Sequence, residues 1–217
     1  MFDISKYKGA IFDVDGTMLD SMWKWIEIEA EYVKRQGIKP DEDFVKIMHP
    51  LSLYEAAEYF KTEYGVNKTV QQITDEKNVM LEEFFSKEVM LKSGVRELLE
   101  ALRSKGIKMC VATATDRYLV EMAMERLDIS KYFLKTFTCS EEGTTKRSPD
   151  IYLRAAEFLG TEVHQTLVFE DAAHAVKTAK QAGFPVVALY DLASDEYQNE
   201  IKSFSDYYFV TLDELAI

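Results

Sequence analysis

Two aspartates stand two positions apart at the end of the chain's first apolar run: Asp13 and Asp15 follow Ala10-Ile11-Phe12. A second run, Met109-Cys110-Val111-Ala112, ends at Thr113, and a third, Leu167-Val168-Phe169, ends at Glu170-Asp171. Lys146 lies between these last two. In open parallel sheets ligands bind beyond the carboxyl ends of the strands. The run ends would therefore deliver the carboxylates of Asp13, Asp15, Glu170 and Asp171 and one hydroxyl to a single cleft. Like charges buried together are costly unless a cation neutralises them. A purely oxygen donor set suits a hard ion, Mg2+ before Ca2+ or Zn2+, and with that ion goes phosphate chemistry. Singly the parts are ordinary. A lone Asp-x-Asp turn is more often a capping or surface feature, and Glu170-Asp171 can simply cap a helix. Their shared position at strand ends carries the inference.

The elements that must position these residues are legible in the pattern. Phe133 to Cys139 is a weaker apolar run, and Val186-Val187-Ala188-Leu189 is another. Short apolar runs separated by amphipathic helical stretches predict an α/β fold, a Rossmann-like parallel sheet covered on both faces. Ser93 is the expected cap of a helix carrying Val95, Leu98, Leu99 and Leu102 and stopping at Gly106. Asp116 is the expected cap of the next, and Ser148-Pro149 reads as an N-cap followed by proline at the first helical position, with Gly160 as the stop. A further helix follows Asp171 and closes at Gly183.

From about Asp20 to Ser86 no convincing strand occurs. Helical periodicity restarts at Ser21, Ser52 and Thr69, and Ser52-Leu53-Tyr54-Glu55 is a capping-box pattern. The expected organisation is an α/β core of residues 1–19 and 87–217 with an inserted α-helical cap domain of residues 20–86.

Bulk composition narrows the function. The chain has 217 residues, 47% of them hydrophobic, enough for a real core. Acidic residues number 38 against 26 basic, a formal net charge of -12. Such a surface repels nucleic acid and anionic membrane, and an anionic substrate needs a local positive site. Cys110 and Cys139 both fall in strand-like stretches with no metal-site spacing, so they read as buried free thiols. No signal peptide or membrane span is recognised, which gives the expectation of a soluble cytoplasmic protein. Oligomeric state is silent.

Phe12-Asp13-Val14-Asp15-Gly16-Thr17 resembles the first motif of the haloacid-dehalogenase superfamily of phosphohydrolases. Thr113 fits its second motif, Lys146 in Lys146-Arg147-Ser148-Pro149-Asp150 its third, and Val168-Phe169-Glu170-Asp171 its fourth. The order is kept across nearly the whole chain, and the insert is similar to the cap of the β-phosphoglucomutase-like branch. The resemblance implies roles. Asp13 would be the nucleophile that becomes an aspartyl-phosphate, and Asp15 the general acid and base. Thr113 would hydrogen-bond the transferring phosphoryl group, and Lys146 would balance its negative charge and hold Asp13 in place. Mg2+ would be ligated by Asp13, by the Asp15 carbonyl, by Asp171, and by Glu170 directly or through water. Arg147 replaces a usual proline, and Ala172 and Ala175 replace usual Ser and Gly.

Other residues are read more plainly. His49, His164 and His174 read as surface or packing histidines, lone imidazoles without metal partners. Arg117 is a candidate for a substrate anion and equally a solvated first-turn arginine. In the first cap helix Met22, Trp23, Ile26, Ala30 and Val33 form one apolar stripe, while Trp25, Ile28 and Tyr32 form another. Trp23 is assigned to the core, Trp25 to substrate contact, and Lys24 to solvent. The leading expectation is a phosphatase acting on a small phosphorylated, sugar-phosphate-like metabolite. A phosphomutase is the alternative. Against it, Trp25 stands where β-phosphoglucomutases carry a histidine, and Met48 to Ala57 lacks the arginine that grips a distal phosphate there. A non-catalytic phospho-ligand binder would be expected to lose Asp13 or Asp15. A dehalogenase has no use for Asp15 and the acidic pair.

Overall fold

Ala10 and Phe12 alternate with Ile11 between two apolar clusters, the period of two that a strand covered on both faces requires. The computed structural model describes residues 3–40, 43–48, 51 and 53–215. Its strands are β1 (Gly9–Phe12), β2 (Lys108–Thr113), β3 (Thr136–Thr138), β4 (Thr166–Glu170), β5 (Val186–Leu189) and β6 (Tyr207–Phe209). They form one sheet in the order β3-β2-β1-β4-β5-β6, with every pairing parallel. The chain fills one side of β1 and then crosses to the other, so the strand order reverses between β1 and β4. This is the crevice where open α/β sheets place their ligands. The last strand, β6, goes beyond the sequence expectation. Tyr207-Tyr208-Phe209 is a short, half-buried edge with too few residues to show a period.

The helices outside the insert are α5 (Val95–Ser104), α6 (Arg117–Arg126), α7 (Cys139–Glu142), α8 (Asp150–Leu159), α9 (Ala173–Gln181) and α10 (Gln198–Phe204). One face of the sheet packs Phe12, Phe169 and Val187 against Leu98, Leu102, Leu119 and Ala123. The other packs Ile11, Val168 and Val186 against Tyr152, Ala155, Val176 and Ala179. Phe12 and Phe169 stack across β1 and β4 with ring centroids 4.2 Å apart.

Between β1 and α5 lie α1 (Met22–Arg35), α2 (Phe44–Met48), α3 (Leu53–Thr62) and α4 (Val70–Glu83), followed by a π-helical turn at Phe84–Glu88. These helices hold a core of their own from Tyr32, Val33, Phe44, Phe60 and Ile73. Thr69 and Gln72 form a complete capping box at the start of α4. Ser52, the cap residue of the other expected capping box, lies outside the described residues, as does His49, while Leu53, Tyr54 and Glu55 open α3. No helix among the described residues is long and apolar enough to cross a membrane.

Several local expectations change. Gly94, not Ser93, takes the N-cap of α5 at φ +81°, and the Ser93 hydroxyl bonds Asp213 instead. Pro149 itself, not Ser148, occupies the cap position of α8, so the helix starts one residue later than expected, at Asp150. Cys139 opens α7 and lies outside any strand, though both cysteines are free and buried as expected. Trp23, assigned to the core, is 51% exposed. Its ring meets Phe84 edge-on, and the 100° spacing that put it on an apolar stripe leaves it at the stripe's margin. Lys24 is not simply solvated: it pairs with Glu27 at 3.0 Å and lies over the Trp23 ring.

Candidate active site

β1 ends with Phe12, and the next residue, Asp13, is buried at the crevice. Its amide donates to the Phe169 carbonyl at 3.0 Å, continuing the ladder to β4 beyond the strand end. One Asp13 carboxylate oxygen accepts from Lys146, and the other from Thr17 at 3.2 Å. The Lys146 ammonium also reaches Glu170 Oε1 at 2.6 Å. The Thr17 hydroxyl lies 3.1 Å from Asp171 Oδ1. Thr113 ends β2 fully buried, and its hydroxyl accepts from the Thr115 amide at 3.1 Å.

Gly16 shows why this loop allows no side chain. Its φ is +79°, and a Cβ there would lie 2.2 Å from Asp171 Oδ2. Only glycine combines this conformation with so close an approach. Lys92 ties the same loop down from behind, donating to the Gly16 and Tyr190 carbonyls at 2.7 Å each and to Asp191 at 2.9 Å.

Charge accumulates here. Burial raises the Glu170 carboxyl to about 7, Lys146 pulls it down and Asp13 pushes it up. Burial, then Asp13 and Glu170, hold Asp171 well above the ordinary carboxylate range. Burial alone would lower Lys146, but the charges of Asp13 and Glu170 outweigh it, so the lysine stays cationic. One ammonium does not balance three carboxylates in a dry crevice. The carboxylates of Asp13, Glu170 and Asp171 each offer an oxygen within 4.8 Å of the others. Glu170 Oε2 is buried without a hydrogen-bond partner, while its other oxygen is held by Lys146 and by the Tyr152 hydroxyl at 2.7 Å. A buried, unpartnered acceptor beside two further carboxylates fits a hard divalent cation.

Asp15 faces the other way, toward the cap. Its carboxylate accepts from Ser21 at 2.6 Å, from the Trp25 indole at 2.9 Å and from Thr115 at 2.7 Å. Burial and then the Asp13 charge raise its carboxyl above the usual range, against the pull of these three hydrogen bonds. Ser21 occupies the N-cap position of α1 but turns its hydroxyl to Asp15 instead of to the helix amides.

A cavity of about 530 Å³ opens over these groups. Asp13, Asp15, Thr113, Lys146, Glu170 and Asp171 line it from the core, and Trp25, Ile26, Glu29, Met48 and Tyr54 from the insert. His174 also reaches this wall. Arg117 does not. Its guanidinium is engaged by Glu141 at 2.5 Å and 2.7 Å, by Glu121 and by the Thr136 carbonyl. The candidate role for Arg117 at a substrate anion is therefore corrected. From the first turn of α6 the side chain reaches β3 and α7, where carboxylates already neutralise it. The proline replacement also finds a place, since Arg147 pairs with Glu55 of α3 at 2.9 Å across the cavity mouth. Sequence reasoning missed Thr17, Ser21, Thr115 and Tyr152. Thr17 had a signal, standing inside the first motif; the others are hydroxyls common anywhere in a sequence.

A parallel α/β sheet that gathers carboxylates at its central strand ends, beneath a helical insert, defines the class of phosphohydrolases with a cap. The chain belongs to the haloacid dehalogenase-like hydrolases, whose family model matches residues 10–189. Among curated relatives, a phosphorylated carbohydrates phosphatase of Thermotoga maritima is 29% identical over 81% of this chain and 82% of its own length. Among solved structures, CbbY of Rhodobacter sphaeroides in complex with phosphate superposes with a TM-score of 0.86 at 20% identity, covering 97% of this chain and 96% of that one. A putative β-phosphoglucomutase of Thermotoga maritima gives 0.70 at 24% identity, covering 93% and 94%. At these identities the structural likenesses speak for the fold.

Proposed function

We propose that the protein is a Mg2+-dependent phosphatase that hydrolyses a small phosphorylated, sugar-phosphate-like metabolite through an aspartyl-phosphate on Asp13, with residues 20–86 as its cap. The single observation carrying this reading is the buried cluster of Asp13, Glu170 and Asp171, with one Glu170 oxygen left unpartnered, on the wall of the cavity. Asp13, Glu170 and Asp171 would hold the ion, together with the Asp15 carbonyl. When bound, Mg2+ supplies charge neutralisation for the phosphate oxygens and for Asp13.

Lys146 and Thr17 fix the two oxygens of Asp13, so the nucleophile is oriented before substrate arrives. An Asp13 oxygen attacks phosphorus, the bond from phosphorus to the ester oxygen breaks, and Asp15 gives its proton to the departing alkoxide. Thr113 and Lys146 receive charge developing on the phosphoryl oxygens. Water then attacks the acyl-phosphate, Asp15 takes the water's proton, and Asp13 and inorganic phosphate are released. The partners of Asp15, with Trp25 the one in the first cap helix, support hydrolysis over return of the phosphoryl group to a sugar. Ser21, Thr115 and Trp25 all donate to it, and an indole N–H cannot accept a proton.

The test is a rapid quench of purified protein with Mg2+ and a labelled phosphate ester, followed by mass spectrometry of the peptide containing Asp13. Phosphate on Asp13 that appears and decays during turnover is expected. Phosphate on another residue, or full turnover in excess chelator, would overturn the reading.

A further inference from the structure

The ion pair at the centre of the insert is not used by the chemistry above. Lys77 on α4 is fully buried and donates to both carboxylate oxygens of Glu29 on α1, at 2.7 Å and 2.9 Å. A buried ion pair is a poor source of stability, because desolvation offsets the attraction, and an apolar pair of similar volume serves a merely structural core at least as well. What the pair does achieve is to hold a carboxylate at a fixed place on the cavity wall, since Glu29 lines the cavity that Asp13 lines from the other side. A carboxylate has acceptor capacity beyond the two Lys77 contacts.

A second observation lies one turn before Lys77 on the same helix. Thr74 lines the same cavity, and its hydroxyl oxygen is buried without a hydrogen-bond partner. Buried polar atoms are normally satisfied, so an unsatisfied hydroxyl on a cavity wall is placed to bond a molecule that enters the cavity. Among the described residues, the basic side chains on this wall are Lys146 at the acidic cluster, Arg147 paired with Glu55, and His174 on α9. The insert offers acceptors and a hydroxyl, with Lys77 already turned to Glu29.

We propose that Glu29 and Thr74 are the specificity-determining residues of the cavity, binding the hydroxyl groups of an uncharged polyol portion of a phosphomonoester and disfavouring a second phosphate. The proposal rests on the phosphatase reading for the phosphate end and adds the chemistry of the other end. A hydroxyl donating to Glu29 makes a charge-assisted bond, whereas an ionised phosphate has no hydrogen to donate and meets an acceptor whose cation, Lys77, is already engaged.

The experiment compares kcat/KM with Mg2+ for glucitol 6-phosphate, fructose 1,6-bisphosphate and phenyl phosphate, which has no hydroxyls to offer. Glucitol 6-phosphate is expected to exceed both others by about tenfold or more, as for a site built to hydrogen-bond its ligand. Glu29→Gln should shrink that advantage over the bisphosphate by about tenfold. Thr74→Val keeps the side chain's shape and removes no partner of the Lys77 pair, and should lower the advantage over phenyl phosphate several-fold. Calorimetry of the same two sugar phosphates with the Asp13→Asn protein reads the site without turnover and should show the same order. A preference for the bisphosphate in either assay would place its second phosphate on a cation such as Arg147 and overturn the proposal. Ratios unchanged in both variants would overturn it too. If no ester is turned over, phenyl phosphate included, the phosphatase reading fails, and the calorimetric order alone decides for or against the polyol site.

Discussion

The two ends of the cavity are built by different rules. At the core end, carboxylates stand on strand termini and in the tight turns that follow, locked by Lys146, Thr17 and Tyr152. At the cap end, the wall is helical and mostly apolar, with Glu29 neutralised by Lys77 and Glu55 by Arg147. The core end leaves an excess of negative charge for a cation to balance, and the cap end leaves none. The two ends are positioned independently, because side chains on strand ends are placed by the hydrogen-bonded ladder and those on a packed insert by its own separate core; the proposed division puts the chemistry on the sheet and the selection on the helices.

The largest effect expected from this division is at Asp13. Asp13→Asn should show no turnover of any substrate, because an amide cannot form the acyl-phosphate; phosphate release above background in that variant would break the comparison at its root. Asp15→Asn should slow turnover by about 10²–10⁴-fold, the usual worth of general acid–base help. The loss should be smallest for aryl phosphates, whose leaving groups depart without protonation. Trp25 touches Asp15 from the cap side, so Trp25→Phe should raise KM or change substrate preference while phosphoryl transfer persists. A Trp25→Phe loss as deep as that of Asp15→Asn would erase the boundary between the two ends.

Gly16→Ala sharpens the core side. The added methyl collides with Asp171, so Mg2+ affinity measured by calorimetry should fall by about 10–100-fold, the range seen when the supports of metal ligands are disturbed. Unchanged affinity would show that Asp171 shifts at no cost. The smallest effect belongs to Arg117 and Glu141, away from both ends. The Arg117 hydrogen bond holds the Glu141 carboxyl below its ordinary value. The folded state then binds that proton less readily than the unfolded state, so the pair stabilises the fold above the ordinary glutamate pKa. The contribution fades as pH falls through the lowered value. Both side chains are substantially exposed, so Glu141→Gln should cost about 0.2–1 kcal/mol at pH 7. Urea denaturation should show that gap closing in acid, while kcat/KM stays unchanged.

Much of this was legible in the residues. Asp13, Glu170 and Asp171 announced themselves because each follows an apolar run, and a run covered on both faces is a local pattern whose end can be read without knowing its neighbours. The parallel sheet followed from the same runs, apart from β6, an edge of three half-buried residues. Helix ends were less secure. Ser93 and Ser21 have the residue type of a cap, but tertiary partners, Asp213 and Asp15, take their hydroxyls. A serine that caps and a serine that bonds across the fold are identical in sequence.

The sequence by itself determined which groups stand at the ends of the central strands, and therefore the family and the acidic crevice, because strand ends in a parallel sheet all face one side. Only the tertiary structure decided which groups meet there. Tyr152 reaches Glu170 across the sheet face, Thr115 reaches Asp15 over 100 positions of chain, and Arg117, four positions after Thr113 at the end of β2, turns away to Glu141. Those meetings depend on strand order, on the roll of each helix and on competition among charges for partners. None of these is a property of a short stretch of residues, because each is settled by packing between segments distant along the chain.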